Sequence, residues 1–207
     1  MYIRGVDEAE AHGPVADYYE SQRAMWGFLP NYAAAFSHRP EVAQAWAGLN
    51  LAIRGGMDRR RYELATIAAA RARRSTYCTA AHATFLRDVC GDEDAVRAIA
   101  AHPDGSALDE QDRAIFEFAT TVATDAAGVT EADVARLRDA GLSDPEIADV
   151  VLAVSARLFF ATVLDGLGAE LDPQTAATFP PEVLDAMIVG RPVAAPPDDA
   201  SEAAADS

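Results

Sequence analysis

The chain has 207 residues, half of them hydrophobic, and a formal net charge of −16 at pH 7. All 17 basic residues are arginine, and this acidic balance disfavours nucleic acid or an anionic membrane as partner, because phosphate binding requires a positive surface. A chain of this length can bury one core without disulfide or metal staples. The pattern shows neither a secretory leader nor a run of roughly 20 apolar residues that would span a membrane. We therefore expect a cytoplasmic protein.

Helix signals recur along the chain and predict an all-α fold. An early amphipathic stretch ends at Gly27 and Pro30, and a second one runs from Pro40 to Gly55 and Gly56, where the paired glycines end it. No stretch of useful length alternates polar and apolar residues with a period of two, so no strand is predicted.

The central region, residues 58–90, is predicted to form two helices separated by a break. Asp58 is a candidate N-cap for the first helix and Ser75 for the second, which Gly91 closes, since short polar side chains cap helix N-termini. Further helices follow. Their predicted caps are Asp109, Thr130 with Asp133, and Ser143, and their predicted stops are Pro103, Gly128 and Gly141. The last helix, after Ser143, is apolar nearly all round and should be buried.

We expect one domain over residues 1–190 and a disordered acidic tail over 191–207, which is rich in Pro, Ala and Asp and offers nothing to bury. A shift of 83 residues places Glu63 on Glu146 and Arg74 on Arg157. This weak duplication predicts two related helical hairpins that share one core.

The stretch from Glu63 to His82 carries the residues with chemical potential. Cys78 and His82 are four residues apart, so they share one face of a helix and their side chains can meet. An imidazole beside a thiol can move its proton. Cys78 also lies in the first turn after Ser75, where free N–H groups and the helix dipole favour an anion. The nearby arginines act in the same direction: Arg71, Arg73 and Arg74. The pattern favours a thiolate, the form that attacks peroxides and disulfides.

Glu63 belongs to this group only if the chain folds back on itself. Along one straight helix it would lie about 22 Å from Cys78, at a rise of ~1.5 Å per residue. A break near Arg74 and Ser75 would bring Glu63 close enough to orient His82 or to exchange a proton through water.

The spacing of Glu63, Ser75, Cys78 and His82 resembles the AhpD-like alkylhydroperoxidase branch of the carboxymuconolactone decarboxylase superfamily. Those enzymes carry Glu, a Cys-x-x-Cys pair and His at this spacing. The flanking segments RRRYELATIAAARA and VTEADVARLRDAGLSDPEIADVV are also similar, so the resemblance covers roughly residues 15–175. It implies an AhpD-like helical bundle, a trimeric or hexameric homo-oligomer, and antioxidant, thiol-dependent reduction of hydroperoxides without a cofactor or metal.

The sequence departs from that pattern at two positions. Ser75 replaces the first Cys of the pair, so the resolving partner of Cys78 is missing, and Tyr77 stands where such peroxidases often have a relay His. Cys90 lies 12 residues beyond Cys78, about 18 Å along a continuous helix, too far for a disulfide. An external thiol would then have to reduce an oxidised Cys78.

Three hypotheses follow from these residues. In the first, Cys78 reduces a hydroperoxide with help from His82 and Glu63, with Ser75 and Tyr77 as neighbouring site residues. In the second, His82 and Glu63 perform acid–base work on a small carboxylated substrate, as in the decarboxylase branch. In the third, Cys78 is inert in a non-catalytic oligomeric module.

Overall fold

The computed structural model of the chain describes residues 1–196, and this range is mostly α-helix. In chain order the helices are α1 Pro14–Trp26, α2 Asn31–Phe36, α3 Pro40–Gly56, α4 Arg59–Ala72, α5 Thr76–Asp88, α6 Glu93–Ala101, α7 Glu110–Asp125, α8 Glu131–Asp139, α9 Asp144–Leu167, α10 Pro173–Ala176 and α11 Pro181–Met187. Within the described range the only bridge between extended segments is the isolated pair Leu171 and Val193. The all-α prediction is confirmed.

Four of the five predicted N-caps are confirmed in their capping contacts, and the fifth, Ser75, makes none. The Asp58 carboxylate accepts the N–H of Arg61, and the Asp109 carboxylate accepts that of Asp112. The starts of α8 and α9 carry capping boxes, formed by Thr130 with Asp133 and by Ser143 with Glu146. The short helices α2, α10 and α11 were not predicted, because four to seven residues are too few to display a helical period.

Helix α4 is the centre of the fold and packs against α5, α7 and α9. Every residue from Tyr62 to Ala70 is buried, and the many alanines allow the neighbouring helices to approach closely. The main hydrophobic cluster lies around α4, α7 and α9. A second cluster joins α1, α2 and α3 to the start of α5 and the end of α9, and it contains Cys78.

The chain breaks between α4 and α5 where the sequence predicts it. Arg74 adopts a left-handed conformation with φ 58°, and the Ser75 N–H donates to the carbonyl of Ala70 at 2.9 Å. The C-terminal segment crosses this break, because the Gly190 N–H donates to Thr76 Oγ1 at 2.9 Å. A Cβ at position 190 would lie 1.9 Å from the Arg74 carbonyl oxygen, so only glycine fits there.

Helix α9 does not form the second hairpin that the shift of 83 residues predicts. It runs unbroken through residues 157–161, the positions that the shift of 83 pairs with Arg74–Cys78. None of these five residues has the positive φ that breaks the chain at Arg74. By length and composition, with a mean hydropathy of 2.0, α9 is also apolar enough to cross a membrane. The search of the sequence for an uninterrupted run of apolar residues had not indicated this. Half of its most apolar window is buried inside the fold, as in a core helix.

The segment expected to be disordered from residue 191 stays packed for several residues more. The Ala194 N–H donates to the Leu171 carbonyl at 2.9 Å, and Arg191 Nη1 donates to the Tyr2 hydroxyl at 2.6 Å. Val193 packs against the main cluster, which gives this segment an apolar side chain to bury. The tail boundary at 191 was therefore placed too early, and the rest of that prediction, 197–207, lies outside the described residues.

Candidate active site

A cavity of about 300 Å³ opens beside the second hydrophobic cluster, between α1, α3, α4, α5 and α9. Four of the five predicted site residues line it: Glu63, Tyr77, Cys78 and His82. The fold therefore brings together the residues that the hairpin prediction required to meet. Ser75 is not among the lining residues.

Cys78 lies in the first turn of α5, as predicted, and only 1% of its surface is exposed. Its Sγ accepts a hydrogen bond from Nη1 of Arg157 at 3.6 Å. The sulfur lies in an apolar cluster but is not enclosed by apolar groups alone, since one side of it contacts a guanidinium.

Arg157 comes from the middle of α9 and is 3% exposed. Its guanidinium carbon lies 5.4 Å from the ring centroids of both Trp46 and Phe160, within cation–π range. Burial alone would lower its pKa, but the neighbouring Cys78 and Tyr62 outweigh burial and the pKa is raised. Among the described residues no carboxylate lies within salt-bridge distance of Arg157, and its Nε has no hydrogen-bond partner.

His82 is held by a carboxylate on α4. Its Nδ1 lies 2.5 Å from Glu63 Oε2 and 3.1 Å from Thr66 Oγ1, so we assign the Nδ1–H tautomer from its acceptor. Burial, followed by the charge of Arg157, lowers the pKa of His82 to about 4, although Glu63 opposes the change. The ring is therefore neutral near pH 7. Its Nε2 has no partner among the described residues and is free for the cavity.

Glu63 is fully buried and remains ionised. Its other oxygen, Oε1, accepts from Nε of Arg59. Burial raises the pKa of Glu63, but the contacts with His82 and Arg59 lower it by more, so its pKa lies below the ordinary value. Arg59, Glu63 and His82 thus form a chain from the cavity rim to the imidazole, as the hypothesis that Glu63 orients His82 requires.

Tyr77 and Ser75 have surroundings that the sequence does not reveal. The Tyr77 ring lines the cavity, but its buried hydroxyl donates to Asp172, and burial together with Asp172 raises the pKa of Tyr77. Ser75 stands at the N-cap position of α5, yet its hydroxyl makes no capping bond and has no partner among the described residues. Ser75 therefore occupies the N-cap position of α5 without capping it through its side chain. The left-handed residue Arg74, and not the Ser75 hydroxyl, ends α4.

Cys90 lies apart from the cavity. It follows the end of α5, is partly exposed, and is a free thiol like Cys78. Burial and the charge of Glu63 raise the pKa of Cys90. The cavity lining holds Cys78 as its only cysteine among the described residues.

The sequence predicted that the arginines just before Cys78 supply the positive charge beside its sulfur. In the structure that charge comes from Arg157 of α9. Arg71 and Arg74 instead bind the carbonyls of Ala186 and Val189, and with Arg73 they are absent from the cavity lining. The signal for Arg157 was present in the sequence: it is a lone arginine inside the apolar run VVLAVSARLFFATVL. Arginine is almost never fully buried without a partner, so such a position indicates a site.

Comparison with known proteins places the chain among related helical proteins. A family model described as "Carboxymuconolactone decarboxylase family" matches residues 40–107, about a third of the chain, including Glu63 through His82. No curated protein matches the sequence.

Several solved structures share the fold. One is the alkylhydroperoxidase AhpD core of a peroxidase-related protein from Ralstonia eutropha JMP134, with a TM-score of 0.74 and 21% identity over 84% of this chain and 93% of that chain. A peroxidase-related protein from Silicibacter sp. TM1040 has a TM-score of 0.70 and 20% identity over 83% and 93%. The debrominase Bmp8, as a cysteine-to-alanine variant in complex with 2,3,4-tribromopyrrole, has a TM-score of 0.71 and 15% identity over 90% and 97%.

Proposed function

We propose that this chain, a member of the AhpD-like carboxymuconolactone decarboxylase superfamily, is a thiol-dependent oxidoreductase that reduces an organic hydroperoxide through Cys78. The observation that carries the proposal is the contact between Arg157 Nη1 and Cys78 Sγ, in the cavity that His82 also lines. The two peroxidase-related proteins of the same fold support this class of reaction.

The buried guanidinium favours an anion at the sulfur. A charge buried without a partner is costly, and Cys78 is the neighbour of Arg157 that can supply the opposite charge. The first-turn N–H groups of α5 and its dipole act in the same direction. A thiolate at Cys78 and the cation at Arg157 therefore stabilise each other, and the thiolate is the nucleophile that peroxide reduction needs.

The reaction proceeds in one displacement. The Cys78 thiol loses its proton to solvent, because the pKa of His82 of about 4 makes its Nε2 too weak a base to take it. The Cys78 thiolate attacks the terminal oxygen of the hydroperoxide. The S–O bond forms while the O–O bond breaks, and the electron pair leaves on the alkoxide, which takes a proton from a water molecule that Nε2 of neutral His82 orients. The products are an alcohol and a sulfenic acid.

An external thiol restores the enzyme. The sulfenic acid condenses with one thiol to give a mixed disulfide and water, and a second thiol releases Cys78 as a disulfide forms between the two external thiols. Cys90 does not take this part, because it lies past the end of α5 and outside the cavity lining.

A second candidate is the reductive removal of a halogen from a small aromatic ring. The fold shared with debrominase Bmp8 and the aromatic cavity walls favour it. It would use the same Cys78 and the same external thiols, so the choice of substrate separates the two candidates.

The test is turnover of cumene hydroperoxide with dithiothreitol, together with trapping of sulfenic acid by dimedone and mass spectrometry. We expect the adduct at Cys78, loss of turnover in Cys78→Ser, and unchanged turnover in the matched control Cys90→Ser. An enzyme whose activity survives Cys78→Ala but disappears in His82→Ala would instead be the acid–base enzyme of the decarboxylase type. Absence of both the adduct and turnover would contradict the proposal.

A further inference from the structure

The cavity is positively charged although the protein is strongly acidic. Its lining contains Arg54, Arg59 and Arg157 but a single acidic residue, Glu63, whereas the whole chain carries 33 acidic and 17 basic residues. A cleft of one sign with low-dielectric walls concentrates ligands of the opposite charge.

The surplus of positive charge persists when Cys78 is ionised. Arg59 pairs with Glu63, and Arg157 pairs with the sulfur. Arg54 is half-buried on α3, and no carboxylate lies within salt-bridge distance of it among the described residues. One cation in the cavity therefore remains without an anion. Arg157 also has a donor to spare, since its buried Nε has no hydrogen-bond partner among the described residues.

The walls of the cavity are aromatic. Rings from six helices line it, among them Trp26, Tyr32, Trp46, Tyr62, Phe85 and Phe160. Such rings pack against another ring by stacked or edge-to-face contact. The volume of about 300 Å³ is at the lower end of ligand pockets, which limits the ligand to about one ring.

From the charge and the walls together, we infer that the cavity binds a small single-ring aromatic anion, such as an aromatic carboxylate or phenolate. The ring packs between the aromatic walls, and the anionic group faces Arg157 and Arg54. This inference rests on the proposed function for the identity of the site and describes the body of its substrate: the hydroperoxide group that Cys78 reduces would be carried by such an anionic ring.

Binding can be measured without turnover in the wild-type protein, because none of the probes is a hydroperoxide and Cys78 then remains beside Arg157. The chain has two tryptophans, and both line the cavity, so quenching of tryptophan fluorescence reports on this site. The probes are benzoate, neutral benzamide, and cyclohexanecarboxylate, which is an anion without an aromatic ring. We expect benzoate to bind about tenfold more tightly than either of the others, as one charge-assisted contact provides.

The variants Arg157→Met and Arg54→Met should each reduce the preference for benzoate over benzamide and leave benzamide affinity unchanged. Arg97→Met is the matched control, because Arg97 is an exposed arginine paired with Glu93 and should change nothing. If Arg157→Met fails to fold, Arg54→Met on α3 still tests the charge.

Equal affinity for benzoate and benzamide, or a preference that survives both substitutions, would overturn the inference. Equal affinity for benzoate and cyclohexanecarboxylate would overturn its aromatic part. Because no hydroperoxide is present, these results are independent of whether the protein turns over a hydroperoxide.

Discussion

The two cysteines stand at opposite ends of helix α5 in opposite electrostatic surroundings. Cys78, in the first turn, contacts the guanidinium of Arg157. Cys90, just past the last turn, is partly exposed, and burial with the charge of Glu63 raises its pKa. The more buried cysteine therefore lies beside a cation, whereas the surroundings of the more accessible one disfavour a thiolate.

Under the proposed function the less accessible thiol is the reactive one, so accessibility alone would not decide which thiol reacts. The dipole of α5 favours an anion at its start and disfavours one at its end, and a cation from another helix reinforces the first effect. The nearest charges decide the chemistry of each sulfur, and those charges come from α4 and α9, which are distant in sequence.

The largest expected effect separates the two cysteines directly. We expect Cys78→Ser to lower hydroperoxide turnover by roughly 10³-fold or more, as removal of a nucleophile does, and Cys90→Ser to leave turnover within about twofold. Steady-state peroxidase assays of both variants measure this. Similar losses in the two variants would remove the distinction between the two ends of α5.

Removal of the cation should make Cys78 resemble Cys90. In Arg157→Met we expect alkylation of Cys78 by iodoacetamide at pH 7 to slow by about tenfold or more, because an adjacent opposite charge commonly changes ionisation by at least that factor. Peptide mass spectrometry follows both thiols in one sample, and Cys90 is the internal control. Restoration of much of the rate by Arg157→Lys would identify charge as the cause, whereas an unchanged rate at Cys78 would refute the role of Arg157.

The low pKa of His82 predicts a specific dependence of stability on pH. The unfolded chain takes up a proton near the ordinary value of 6.5, while the folded chain does so only at about 4. The free energy of unfolding should thus be constant above pH 6.5 and fall by about 3 kcal/mol as the pH drops to 4. Urea denaturation of the wild type and of His82→Gln at a series of pH values checks this. The variant should lose most of the slope in that window, and an equal slope in both would contradict the assignment.

The smallest expected change concerns Tyr77. Its hydroxyl donates to the buried Asp172, so Tyr77→Phe leaves an acceptor with one partner fewer and should cost about 1–3 kcal/mol of stability. We expect turnover to stay within about twofold, which thermal denaturation and the peroxidase assay together establish. A large loss of turnover at unchanged stability would instead support Tyr77 as a catalytic residue.

Much of the fold could be predicted because its signals are local. Capping residues such as Asp58 and Asp109, and the break at Arg74, act within a few residues of the structure they determine. The contact between Glu63 and His82 also followed, since the break leaves no other arrangement that unites them. These predictions needed no knowledge of distant packing.

The remainder depended on tertiary contacts. Arg157 lies 79 residues from Cys78, and no local pattern indicates which apolar helix packs over a given turn. The same limitation applies to the hydroxyl of Tyr77, whose acceptor is 95 residues away, and to Val193, whose burial depends on Leu171.

The crossing at Gly190 has a practical consequence for protein engineering. Thr76, one residue after the break and two before Cys78, accepts hydrogen bonds from the N–H groups of Val189 and Gly190, so the C-terminal segment acts as a brace on the start of α5. Truncation before residue 189 would release that brace and loosen the geometry around the sulfur, whereas a fusion tag attached beyond residue 196 would spare it.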